Sequence, residues 1–133
     1  MEACEKILSF FEKAGYRGIA IGHEIFVENG EKRIKARFFP SLRSLAENLE
    51  HAISEYHILI VPAGEDIHEY MDVYKRFFYN IYESTASLWV IDVASGNVSP
   101  IINDSFYYEF YPLFLNPSLS TWLSGFWDKE NPL

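Results

Sequence analysis

The sequence predicts one α/β domain built on a mixed sheet, with an antiparallel hairpin, a parallel strand–helix–strand unit and helices on both faces. Three observations lead there. "EIFVENGEKRIKARFF" (24–39) holds two alternating stretches around Asn29-Gly30, a dipeptide suited to a tight hairpin turn. "HILIV" (57–61) and "SLWVIDV" (87–93) are short apolar runs of the kind buried on both faces of a parallel sheet. Between and before them lie stretches with apolar residues at helical spacing.

Residues 3–14 form the first predicted helix, with Cys4, Ile7, Leu8 and Phe11 on one face and Gly15 as its stop. A short strand at 19–21 leads into the hairpin. A turn centred on Asn29-Gly30 would place Glu28 opposite Glu31, Ile25 opposite Ile34 and Glu24 opposite Lys35. One face of the hairpin then carries His23, Ile25, Val27, Ile34, Ala36 and Phe38, a core face. The other carries Glu24, Phe26, Glu28, Arg33, Lys35 and Arg37. Ser41 is suited to cap a helix whose stripe is Leu42, Leu45, Ala46, Leu49, Ala52 and Ile53. "PAGED" ends the strand at 57–61 and opens a helix at about 65–83, where Glu65 and Asp66 suit the positive end. Ile67, Met71, Tyr74, Phe78 and Ile81 form its predicted inner stripe. After the strand at 87–93, Ser95-Gly96-Asn97 turns the chain into "VSPII".

Composition narrows the function classes. The chain has 133 residues, the size of one domain, and 49% hydrophobic residues, enough for a core. Its net charge of −8 disfavours nucleic acid and anionic lipid except through a local basic patch. The one cysteine, Cys4, rules out a disulfide within the chain and favours a reducing, cytoplasmic setting. Residues 1–15 do not read as a signal peptide, and no apolar run reaches transmembrane length. The lack of glutamine leans toward a thermophilic source.

The order helix, β-meander, helix, strand, helix, strand resembles the restriction-endonuclease-like superfamily of PD-(D/E)xK nucleases. Two stretches carry the likeness: "IFVENGEKRIKARFFPSLRSLAENL" and "HILIVPAGEDIHEYMDVYKRFFYNIYESTASLWVIDVASGNVSPI". Together they cover roughly residues 3–102. The resemblance implies a divalent metal held by carboxylates, with a nearby lysine orienting the nucleophile. Lys35 stands where that lysine would be, and Glu24 could stand in for the first acid. The residue two before Lys35 should be acidic but is Arg33, which cannot ligate Mg²⁺. Glu5 or Glu12 could bring a further carboxylate without replacing the missing one. The resemblance thus implies a member that has lost its metal site.

Other candidate sites follow from the residues themselves. Lys32, Arg33, Lys35, Arg37 and Arg43 gather five of the eleven cations within twelve residues. Arg33, Lys35 and Arg37 alternate on one strand face, so they are nucleic-acid-binding candidates or a solvated face paired with Glu24, Glu28 and Glu31. His23, His51, His57 and His68 lack zinc-site spacing, and no metal is expected. Cys4 reads as a buried, inert thiol. There is no Walker loop, nucleophile elbow or dinucleotide fingerprint, so no cofactor is expected; Mg²⁺ enters only if the chain is a nuclease.

The last thirty residues, 104–133, read as an aromatic flap packed on the core or at a dimer interface. Its interface candidates are Phe106, Tyr107, Tyr108, Phe110, Tyr111, Phe114, Trp122, Phe126 and Trp127. No Lys or Arg occurs from Val98 to Trp127, which argues against base stacking there. The expected function is that of a non-catalytic binding or accessory protein, homodimeric or bound to another protein, with no membrane contact. The alternatives are a metal-dependent nuclease acting on DNA or RNA, and a small-molecule sensor with an aromatic pocket.

Overall fold

The structure, a computed structural model, describes residues 2–63, 67–102 and 110–114, with backbone alone for 67–74 and 111. Helix α1 (Glu2–Lys13) leads into three antiparallel strands: β1 (Arg17–Ile21), β2 (Glu24–Asn29) and β3 (Lys32–Phe38). Helix α2 (Leu42–Glu55) crosses to β4 (Ile58–Pro62), and helix α3 (Ile67–Tyr82) crosses to β5 (Ser87–Ile91). Strand β6 (Val98–Ile102) follows, then a single 3₁₀ turn at Tyr111–Leu113. The six strands lie in chain order, β1-β2-β3-β4-β5-β6. β3, β4 and β5 are parallel neighbours, and the other pairs are antiparallel. This is the mixed sheet that the sequence predicts.

Helices cover both faces of the sheet, each over its own core. Cys4, Ile7, Phe10 and Phe11 of α1 pack with Ile25, Val27, Ile34, Ala36, Phe38, Ile58, Ile60 and Trp89. On the other face, Leu45 and Ala52 of α2 and Phe77 and Ile81 of α3 pack with Leu59, Val61, Leu88 and Val90. The alternation of Ile58 and Ile60 against Leu59 and Val61 shows β4 buried on both sides, as its continuous apolar run requires. α2 starts as predicted, with the Ser41 hydroxyl accepting from the Ser44 amide at 3.1 Å. Cys4 is 1% exposed, and burial pushes its thiol up, which leaves it protonated and inert.

The hairpin register departs from the expectation. Asn29 stays in the strand opposite Lys32, Ile25 lies opposite Ala36, and Glu24 lies opposite Arg37. The two-residue turn is therefore Gly30-Glu31, with Gly30 at φ +63° in its first position. A primed turn needs positive φ there, and glycine supplies it without steric cost. The shift moves each partner by two residues, so both faces keep the predicted membership.

The outer helix also turns out differently. Phe77 is the buried ring near the end of α3, while Phe78 is half-buried and stacks on Tyr82 at 5.2 Å. Phe77 and Ile81, four apart, face the sheet; Ile81 belongs to the predicted stripe and Phe78 packs half-buried against the same core, while Phe77 is a buried ring that the stripe left out. The side chains of Ile67, Met71 and Tyr74 lie outside the described residues, as do Glu65 and Asp66.

Candidate functional site

Arg37 lies level with Leu59, so the polar face of the hairpin points to the α2 side of the sheet. The end of α2 comes down on that face and binds it through charge. The Lys35 ammonium donates to the Glu55 carboxylate at 2.8 Å. That hydrogen bond, more than any other cause, raises the Lys35 pKa and lowers that of Glu55. Lys35 also sits 4.9 Å from the ring centroid of Tyr56 and 5.7 Å from that of Phe26. His51, one turn back on α2, contacts the other oxygen of Glu55.

Next to this pair is a second knot. The Tyr56 hydroxyl donates to Glu24 and accepts from Arg37 Nη1, the latter at 3.1 Å. The Arg37 guanidinium lies 5.3 Å from the centroid of Phe39. Its Nε is buried without a partner among the described residues. The Lys35 amide donates to His57 Nδ1 at 3.0 Å, and the His57 amide returns a bond to the Lys35 carbonyl. His57 Nδ1 therefore acts as an acceptor. The Lys35–Glu55 pair and the Glu24–Tyr56–Arg37 bonds hold the end of α2 against β2 and β3.

Beyond the end of α2 the hairpin face runs from half-buried on β2 to exposed on β1. An open groove of ≈ 680 Å³ runs along β1, β2 and β3, lined by Arg17, Ile19, Phe26, Glu28, Arg33 and Lys35 among others. β1 is exposed at all five residues, and Ile19 and Ile21 are 57% and 59% exposed. Arg17 and Glu28 form an exposed ion pair at 3.6 Å. The other end of the sheet is unlike this one: β6 is buried at all five residues.

The predicted site residues are thus divided. Glu24, Lys35 and Arg37 come together at the end of α2. Arg33 is exposed opposite Glu28 on the groove, and Lys32 is exposed in the outward half of β3. Arg43 is on α2, paired with Glu47 at 3.2 Å. The five cations do not form one stripe. Glu5 and Glu12 cannot join Glu24 and Lys35, because α1 covers the opposite face of the hairpin. Among the described residues no three of His, Cys, Asp and Glu converge as a metal site.

Phe110 and Phe114 are buried in the α1-side core, against Phe10 and Trp89. Tyr111 opens the 3₁₀ turn. Phe106, Tyr107, Tyr108, Trp122, Phe126 and Trp127 lie outside the described residues. Sequence reasoning missed Tyr56 and Glu55 as partners of Glu24 and Lys35. It assigned no face to Ile19 and Ile21, which are exposed. Compared with known proteins, the chain matches no protein-family model and no curated protein sequence.

Proposed function

We propose that this chain is a non-catalytic binding protein that works by contact with another protein. The observation that carries this reading is β1, a strand exposed along its whole length with two isoleucines bare at the sheet's end. An uncovered edge presents unpaired main-chain groups to which an extended segment of another chain can add as a strand. Its own Arg17 and the Phe26 ring beside it are of the types enriched at interfaces.

Two further observations favour binding over hydrolysis. Glu24 and Lys35, the residues a PD-(D/E)xK-like site would need, are engaged by Tyr56 and Glu55. Arg33 occupies the position where such a site needs a second carboxylate. The chain order of helix, meander, helix, strand, helix, strand supports a restriction-endonuclease-like core whose surface serves recognition.

The test is photo-crosslinking in extract of the source organism, with p-benzoylphenylalanine placed at position 19 and, as control, at position 47 on the outer face of α2. A discrete adduct with another polypeptide from position 19 alone is the expected result. The nuclease alternative predicts Mg²⁺- or Mn²⁺-dependent cleavage of DNA or RNA that Lys35→Ala removes. Such cleavage would overturn the non-catalytic reading.

A further inference from the structure

We propose that the β1 edge takes up an extended acidic segment of another protein as an added strand. This deepens the binding reading above and rests on it. The main-chain groups on the outer side of β1 meet no neighbouring strand among the described residues, because β1 ends the sheet. An added strand would satisfy them and lie about 4.8 Å away. Arg17, Ile19 and Ile21 project from the groove side of β1 at every second residue, level with Glu28, Phe26 and Glu24 of β2. Alternate side chains of the incoming strand therefore meet one cation and two isoleucines in turn.

Charge selects the occupant. The whole chain carries −8, yet the groove is lined by Arg17, Arg33 and Lys35 against Glu28 alone. Lys35 is committed to Glu55, and Arg33 stands on β3 with β2 between it and β1, which leaves Arg17 as the cation that an added strand meets. The Arg17–Glu28 pair is exposed at 88% and 44% of its side chains, so it is weak and can be exchanged for another carboxylate. The fitting pattern is thus an acidic residue beside Arg17, followed at two-residue spacing by apolar ones beside Ile19 and Ile21. A second copy of β1 lacks that pattern: "RGIAI" brings another arginine and no acid.

The probe is a short fluorescein-labelled peptide in which threonine alternates with one glutamate and two valines, made in both chain directions. Its counterpart carries lysine for glutamate, and a third version has N-methylated backbone amides on the pairing edge. The intact protein should bind one direction of the acidic peptide saturably. Affinity should fall about tenfold in Arg17→Glu. The lysine and N-methylated peptides should not bind, and β1 amides should become protected from hydrogen exchange in the complex. Equal binding of acidic and basic peptides, or binding unchanged by N-methylation, would overturn the proposal. So would concentration-dependent doubling of the 15.5 kDa mass that Ile19→Lys abolishes, which would assign the edge to a second copy. A specific adduct from position 19 without peptide binding would reject the acidic strand and leave the binding reading standing. No adduct from that position would remove both.

Discussion

Tyr56 is the residue on which the hairpin and α2 meet. Burial first, and the hydrogen bond to Glu24 second, raise its phenol above the ordinary value of 10.0, while Arg37 pulls the other way. A raised folded-state pKa adds stability that is present below pH 10.0 and is lost as pH rises through the folded value. Urea unfolding of the native protein should therefore show an alkaline loss of stability with a component absent in Tyr56→Phe. At neutral pH the same substitution should cost about 1 kcal/mol, since Glu24 and Arg37 lose a shared partner. Identical pH slopes in the two proteins would mean that the phenol does not bridge them. Nearby, Lys35 and Glu55 owe their shifts to each other, so the pair is most firmly held between acid and strongly alkaline pH.

At the scale of the element, the close approach of β1 to β2 depends on one glycine. β1 meets β2 through five paired positions, and Gly18 lies opposite Val27. A Cβ at position 18 would stand 1.8 Å from the Phe26 carbonyl oxygen, closer than any real contact, and both groups are backbone-anchored. Gly18→Val should thus push β1 off the sheet and destabilise the protein by about 1–3 kcal/mol. Ala20→Val, on the same face and exposed, should change stability little. Amide exchange along β1 in both variants reads the difference directly. The contrast with β6 shows how the two sheet ends are treated: β6 has Pro100 within a strand that is buried throughout, whereas β1 is left open.

At the scale of the whole molecule, the α1-side core gathers aromatic rings from distant parts of the chain. Trp89 lies 5.6 Å from Phe10, 5.7 Å from Phe11, 5.3 Å from Phe110 and 5.2 Å from Phe114 between centroids. Such edge-on and offset contacts add to the area that the rings bury. Phe110→Ala should cost about 3–5 kcal/mol in urea or thermal unfolding, as expected for a fully buried Phe. A loss near zero would place the ring outside the core. Removing residues 103–133 takes away Phe110 and Phe114 together. The solution mass of such a shortened chain would then report folding as much as association.

The local chemistry of the sequence was enough for most of the architecture. Alternation in 24–38 marked which hairpin residues face the core, and "ILIV" and "SLWVI" marked strands buried on both sides. Ser41 marked the start of α2. These signals are short-range, because side-chain direction repeats every two residues in a strand and about every 3.6 in a helix. Whether the turn was Asn29-Gly30 or Gly30-Glu31 was not legible, since both registers keep the same faces together. The roles of Phe110 and Phe114 were not legible either, because their partners Phe10 and Trp89 are far away in the chain. Nor could alternation tell that Ile19 and Ile21 stay bare, or that Tyr56 and Glu55 would close over Glu24 and Lys35. Periodicity tells a residue which side of its own element it occupies, and only the packing of distant elements decides whether that side is covered.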